Sequence, residues 1–146
     1  MIIKFKKLHY NAVIPKKSTE GAAGYDLYSC PKDNGAIIIP TGEAVLVPTG
    51  IAAEIPAGHF LMVCSRSGMA LNQSVFVLNS PGIIDSDFRG EIGVILCNAG
   101  KHAFYVNPGD RVAQMIIASE PTASIKVVKE LTETARGVGG FGSTGK

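Results

Sequence analysis

The sequence has no tryptophan, only three cysteines and almost no net charge. Fourteen basic and twelve acidic side chains leave a formal charge of +2, which is too little for bulk electrostatic binding of nucleic acid or anionic lipid but leaves a local anion site open. Its uncharged apolar runs are far shorter than the about 20 residues of a membrane-spanning helix, and residues 1–7 lack the long apolar region of a signal peptide. We therefore expect neither membrane association nor direct binding of nucleic acid.

The three cysteines are too few and too far apart to indicate a disulfide framework. Cys30, Cys64 and Cys97 are odd in number and stand mostly among apolar residues. This pattern predicts reduced, buried thiols in a reducing compartment. The expected location is cytoplasmic, with a nuclear location or a virus-encoded protein left open.

Glycine and proline are abundant, with 17 and 8 residues, and the chain of 146 residues has the length of one domain. Short apolar runs between Gly/Pro turns predict an all-β fold of the sandwich, barrel or jelly-roll type, with a single short helix near residues 68–73. The predicted strands are residues 2–5, 37–39, 44–47, 51–55, 59–64, 75–78, 92–97, 103–106, 111–117 and 125–128.

The composition changes after Glu133, and residues 136–146 are nearly half glycine. Residues 135–146 cannot form a core and are predicted to be a flexible arm, following a β domain over residues 1–134. The arm sets an arginine, a phenylalanine and a Ser-Thr pair among its glycines, a composition suited to holding a phosphate. It matches two phosphate-loop patterns, but it has neither the preceding strand nor the following helix that those motifs require.

Five segments carry a high density of chemically useful side chains: residues 22–27 (AAGYDL), 65–70 (SRSGMA), 79–90 (NSPGIIDSDFRG), 109–114 (GDRVAQ) and the arm. Their order and spacing resemble the five motifs of the homotrimeric dUTPase family over nearly the whole chain. The resemblance implies a jelly-roll-like β-clip fold. It also implies a homotrimer with three active sites, each built from three chains and closed by a neighbour's C-terminal arm. The implied reaction is hydrolysis of dUTP to dUMP and pyrophosphate with Mg²⁺, which lowers dUTP and supplies dUMP for dTMP synthesis.

Asp85 ends an apolar run at a turn, where a carboxylate could orient or deprotonate a water molecule. The resemblance implies that it is the catalytic base for attack on the α-phosphorus. The alternative from the residues alone is that Asp85 and Asp87 cap a hairpin turn, and for Asp87 the structural interpretation is preferred.

Phosphate contacts are expected from the second and fourth motifs. Arg66, Ser67 and Gly68 supply a guanidinium, a hydroxyl and a permissive backbone. By resemblance Gln114 adds an amide donor, although it could be an ordinary hydrogen-bonding strand residue. Asp110 and Arg111 are interpreted as a structural turn or ion pair. The resemblance also assigns Asp26 to the metal, through a water molecule bound to Mg²⁺, which retains several waters when phosphates are its main ligands.

The resemblance places recognition of the base and the sugar on the third motif and just beyond it. Phe88 stands where the family usually has tyrosine, and its ring is expected to pack on the deoxyribose and exclude a ribose. In the arm, Arg136 would reach the γ-phosphate and Phe141 would stack on uracil. The remaining implied substrate-binding residues are Asn79, Gly82, Ile83, Ile84, Gly93, Gly142, Ser143 and Thr144.

Two other functions remain open at this point. A dCTP deaminase-like enzyme would share the fold and a similar phosphate site, but it needs chemistry at C4 of cytosine. A non-catalytic interaction module could use the same fold for partner binding alone.

Overall fold

Short antiparallel strands make up most of the regular secondary structure of this protein in the computed structural model, which describes residues 1–141 and 143. In that part of the chain there are eleven strands and one helix. The strands are β1 (Lys4–Lys7), β2 (Tyr25–Tyr28), β3 (Ile37–Ile39), β4 (Ala44–Pro48), β5 (Ile51–Glu54), β6 (His59–Cys64), β7 (Val75–Val77), β8 (Gly82–Ile84), β9 (Gly93–Asn98), β10 (Phe104–Val106) and β11 (Arg111–Ser119), and helix α1 is Ser67–Gln73. The predicted all-β class and the single short helix are confirmed.

The structure differs from the predicted strands at three places. Strands β2 and β8 were not predicted, because each is too short to show an alternating pattern and is a strand only through its pairing with β11 or β6. The strand predicted at residues 125–128 is wrong. Its apolar side chains have no partner strand in the described chain, and Ile125 and Val127 are 98% and 95% exposed.

The strands form four antiparallel sheets with the orders β1-β5, β3-β10, β2-β11-β6-β8 and β4-β9-β7. Alternate side chains of β6 and β9 are buried, as expected for strands with one face on a core. Each large apolar side chain buried there contributes about 1.5–3 kcal/mol. The largest fully buried side chains are Leu27, Ile39, Val47, Ile51, Leu61, Val75, Val77, Ile92, Val94, Leu96, Val106 and Met115.

Strand β6 lies between β11 and β8, which carry or adjoin the fourth and third motifs. Its last residue, Cys64, is paired with Gln114 of β11. On its other side β8 runs antiparallel, with Gly82 opposite Val63 and Ile84 opposite Leu61. Residues that follow β8 therefore lie near the beginning of β6, and residues that follow β6 lie near its opposite end.

The cysteines are free thiols, as predicted. Cys30 is buried, whereas Cys64 and Cys97 are only partly buried. Burial raises the pKa of the Cys30 thiol, and the nearby Glu91 carboxylate raises it further, against a smaller opposing effect of Lys7. The Cys30 thiol therefore stays protonated and packs as a small apolar group. No helix of the described residues is long and apolar enough to cross a membrane.

Candidate active site

An apolar slot of about 260 Å³ opens between β8 and β9. Val63, Val77 and Ile95 contribute apolar walls, and the side chains of Asn79 and Glu91 are polar. A slot of this size and lining suits a small flat ring whose polar edge is read by backbone groups and a few side chains. It brings together six residues that were predicted to bind substrate, namely Asn79, Gly82, Ile83, Ile84, Phe88 and Gly93.

Phe88 lies at the mouth of the slot and is 41% exposed. Its ring packs directly over Gly90, where an added Cβ would lie 2.6 Å from the ring Cζ. A side chain at position 90 would displace the ring. Gly90 thus allows Phe88 to present a flat apolar face beside the slot.

Asp85 follows β8 directly and lines an open hollow of about 600 Å³, which shares Ile83 with the slot. Asp87 and Glu120 line the same hollow, and both aspartates are exposed. The turn is closed by backbone groups, since the Phe88 N–H donates to the Asp85 carbonyl over 3.2 Å. This bond does not depend on either carboxylate, so the Asp85 carboxylate is accessible for chemistry rather than needed for this turn.

A second cluster follows the end of β6 and centres on Arg66. One guanidinium nitrogen, Nη1, donates to the carbonyl of Arg111 over 3.0 Å, and Nε lies 3.5 Å from Oδ1 of Asp26. These contacts hold the guanidinium in one orientation. Ser67 and Gly68, the other two residues of the predicted phosphate clamp, begin α1 immediately afterwards and are exposed.

Asp26 is held by several donors at once. Its side chain is only 12% exposed, and Oδ2 accepts hydrogen bonds from Ser18 Oγ at 2.5 Å and from Arg111 Nη1 at 3.3 Å. Arg111 therefore forms its ion pair with Asp26 rather than with its neighbour Asp110. Asp110 accepts the Asn107 N–H in a turn, as the structural interpretation predicted. No local pattern indicates that Asp26 pairs with two arginines, because these residues lie far apart along the chain.

Gln114 is positioned by the first and second motifs. Its Nε2 donates to the carbonyl of Ser65 over 3.0 Å, and its Oε1 lies so close to Gly24 that an added Cβ there would be 2.8 Å away. Gln114 thus makes the hydrogen bond expected of a strand residue, and one N–H of its amide remains to donate to a ligand. This contact explains the glycine in the motif AAGYDL.

The described residues contain no group of three or more His, Cys, Asp or Glu side chains that could hold a metal ion. Asp26 is paired with Arg66 and Arg111, and Asp110, which lines the same hollow as these two arginines, accepts hydrogen bonds from Asn107. A divalent cation at this cluster would therefore take most of its ligands from a bound phosphorylated molecule and from water. The residues present therefore fit a Mg²⁺ ion that is coordinated mainly by substrate phosphates and water, and do not fit one coordinated directly by several side chains.

The length of β6 separates Asp85 from Arg66. Asp85 lies beside Phe60 at the beginning of the strand, and Arg66 follows its end. At roughly 3.3 Å per residue, the stretch from Phe60 to Arg66 spans roughly 20 Å. Within one chain, Asp85 and Arg66 therefore belong to opposite ends of β6.

The described part of the arm is a series of turns that hydrogen-bond to one another. The Gly137 N–H donates to the carbonyl of Thr134 over 3.0 Å, and Arg136 Nε donates to the carbonyl of Gly139 over 2.8 Å. The side chain of Arg136 is exposed. The hydrogen bonds of the described arm residues are therefore made within the arm or to the adjoining Thr134.

Phe141 is fully exposed, at 113% of its reference area. The Ser143 N–H donates to the carbonyl of Gly140 over 3.0 Å. Gly142 and Thr144, which were also predicted to contact substrate, lie outside the described residues. An aromatic ring this exposed gains apolar burial when it covers a ligand or another surface.

The fold and the two clusters are typical of a class of protein that binds a phosphorylated small molecule, with a ring in the slot and an anion near Arg66. A comparison with known families refines this class. The family model described as dUTPase matches residues 10–145. A deoxyuridine 5'-triphosphate nucleotidohydrolase of Syntrophotalea carbinolica is 48% identical over 143 residues, covering 98% of this chain and 96% of that protein. The chain therefore belongs to the dUTPase family.

Solved structures show the same fold. A dUTPase of Staphylococcus bacteriophage 80alpha, determined with dUpNHpp, superposes with a TM-score of 0.89, with 24% identity and 99% of each chain covered. A mutant dUTPase of phage phi11 of S. aureus, described for its coordination of a structural Mg(II) ion, superposes with a TM-score of 0.79. It is 22% identical and covers 89% of this chain and 98% of its own. The jelly-roll-like dUTPase fold is confirmed.

Proposed function

We propose that this protein is a dUTP diphosphatase, which hydrolyses dUTP to dUMP and pyrophosphate. The observation that carries the proposal is the slot, which gathers six predicted substrate-binding residues and has an exposed carboxylate just beyond its wall. The products place the enzyme in pyrimidine deoxyribonucleotide metabolism, where it removes dUTP and supplies dUMP for dTMP synthesis. The cytoplasmic location expected from the free thiols stays a prediction.

Asp85 acts as the general base in this proposal. It takes a proton from a water molecule whose oxygen forms a new bond to the α-phosphorus. The bond from that phosphorus to the α,β-bridging oxygen breaks, and pyrophosphate leaves with the electron pair. A positioned base contributes about 10²- to 10⁴-fold to such a reaction. The exposed carboxylate of Asp85 leaves room for the water.

The Arg66 cluster holds the phosphate chain. Arg66 and Gln114 are already oriented by protein contacts, so they lose little side-chain freedom when an anion arrives. Mg²⁺, held mainly by phosphate oxygens with Asp26 contacting one of its waters, would neutralise negative charge on the substrate. The contacts of Asp26 with two arginines also keep Arg66 in place when no substrate is bound.

The active site is built from several chains, in a homotrimer. Asp85 and Arg66 lie roughly 20 Å apart along β6, so the base of one chain must act on phosphates that Arg66 of another chain holds. The segment that follows β11 supports an assembly, because Ile125, Val127 and Leu131 are all at least 86% exposed. Burying them against another copy would stabilise the complex, and the β domain of residues 1–134 would extend its arm over a neighbour's site.

Phe88 sets the preference for deoxyribose in this proposal. We expect Phe88→Ala to narrow the difference in kcat/KM between dUTP and UTP, because the missing ring leaves space for a 2′-hydroxyl. Steady-state assays with both nucleotides test this. Phe88→Tyr is the matched control, since it keeps the ring and adds only a hydroxyl that can form a bond worth about 0.5–1.5 kcal/mol. An unchanged ratio in Phe88→Ala would exclude the ring as the sugar filter.

The proposed activity is tested by measuring pyrophosphate release from dUTP, UTP, dCTP and dTTP with Mg²⁺ present. We expect rapid release from dUTP alone. Backbone groups arranged for uracil are left unpaired against cytosine, which is a strong form of discrimination, and the 5-methyl group of thymine needs space that a tight slot lacks. Ammonia release from dCTP would instead indicate the deaminase, and no release from any nucleotide would favour a non-catalytic module.

A further inference from the structure

We propose that Arg89 is a positioning residue, which fixes the turn that carries both Asp85 and Phe88. The inference rests on the proposed hydrolysis of dUTP and adds a residue that lines neither the slot nor the hollow beside Arg66. Arg89 would keep the exposed Asp85 carboxylate and the half-exposed Phe88 ring in fixed relative positions before substrate binds.

The guanidinium of Arg89 bridges two carbonyls of this turn. Its Nη1 donates to the Ser86 carbonyl over 2.7 Å and to the Phe88 carbonyl over 2.9 Å. Within the same turn the Phe88 N–H donates to the Asp85 carbonyl over 3.2 Å, which is a longer bond. The two short bonds, each to a charged donor, therefore add the stronger constraint on how residues 85–88 fold back.

The bond to the Phe88 carbonyl also restrains the backbone that carries the Phe88 ring. The ring packs over Gly90, one residue beyond Arg89. Arg89 lies between them in sequence and fixes the carbonyl of Phe88 itself. A rotation of the peptide that joins Phe88 and Arg89 would move the ring off Gly90 and away from the mouth of the slot.

The other neighbours of Arg89 do not compete strongly for its guanidinium. Arg89 borders a hollow that it shares with Lys4, Lys6 and Glu54. Glu54 is paired with Lys4, whose Nζ lies 2.7 Å from Oε1. The pKa of the Glu54 carboxyl is lowered mainly by the hydrogen bond and the charge of Lys4, and Arg89 adds a smaller effect. The carbonyls of the turn are thus the main partners of Arg89.

Losing the bridge should loosen the turn without unfolding the protein, because Arg89 is exposed and outside the core. Asp85 would then spend less time where a water between it and the α-phosphorus can react, and the Phe88 ring would cover the sugar less completely. A 1 Å misplacement can cost about 10²-fold, and partial loosening of a short turn should cost about five- to tenfold.

Amide hydrogen exchange tests the structural part without relying on activity. Arg89→Met keeps the unbranched stem and removes the donors, whereas Arg89→Lys keeps a charged group with three N–H donors. We expect faster exchange at the Phe88 amide in Arg89→Met, and near-parent exchange in Arg89→Lys and in the control Glu54→Gln. Unchanged exchange in Arg89→Met would overturn the proposal, and so would equal acceleration in Arg89→Lys.

Kinetics test the functional part in the same variants. In Arg89→Met we expect kcat for dUTP to fall about five- to tenfold with little change in KM or melting temperature, and the ratio of dUTP to UTP turnover to fall. Arg89→Lys should keep most of the parental kcat and most of the parental ratio of dUTP to UTP turnover. Glu54→Gln should match the parent in both quantities. Parent-like kcat and selectivity in Arg89→Met would refute a positioning role. If the parent itself released no pyrophosphate, the proposed function would fail, while the exchange rates would still decide the role of Arg89.

Discussion

Replacing Asp85 with asparagine should lower kcat for dUTP by about 10²-fold or more and leave nucleotide binding nearly intact. Asparagine keeps the size of the side chain and its place at the end of β8, but its amide cannot accept a proton from water at neutral pH. Pyrophosphate release gives kcat, and calorimetric titration with a non-hydrolysable dUTP analogue gives the affinity.

Asp87 provides a matched control because it lines the same hollow and is also exposed. Asp87→Asn removes the same charge from the same place, so it reproduces any general electrostatic effect on a polyanionic substrate. We expect Asp87→Asn to keep most of the parental kcat. Near-normal turnover in Asp85→Asn, or an equal fall in both variants, would remove Asp85 from the role of base.

Ending the chain after Thr134 should reduce kcat/KM by about 10²-fold, while the fold and the assembly persist. The described residues of the arm hydrogen-bond within the arm or to Thr134, so their removal costs the core nothing. What is lost is Arg136 as a phosphate ligand, Phe141 as a cover for the ring, and the exclusion of water. Steady-state kinetics measures kcat/KM, a thermal melt measures the stability of the fold, and light scattering measures the mass of the assembly.

A mixing experiment shows whether the base and the arm of one active site come from different chains. Chains that end after Thr134 lack the arm, and Asp85→Asn chains lack the base, so each assembly alone should be nearly inactive. After the two are unfolded together and refolded, mixed assemblies should regain activity at sites that take Asp85 from one chain and the arm from the other. Persistent inactivity of mixed assemblies, verified by mass, would contradict a site shared in this way.

The fold class and the inventory of chemical groups could be predicted from the sequence alone. Turns depend on local residue types, so the Gly/Pro pattern was enough to indicate short strands and a single helix near Ser67–Gln73. The resemblance to the dUTPase motifs implied six substrate-binding residues that the structure places together in the slot. These features are local, since a turn or a motif is specified by residues that are neighbours along the chain.

The tertiary structure decided which of these groups meet. Strands β2 and β8 exist because β11 and β6 supply their hydrogen bonds, and residues 125–128 form no strand in the described chain because no partner is there. The pairing of Asp26 with Arg66 and Arg111 joins three separate motifs. The register of β8 on β6 placed Asp85 far from Arg66. Strand pairing joins residues that are distant in sequence, so no local pattern could specify these contacts.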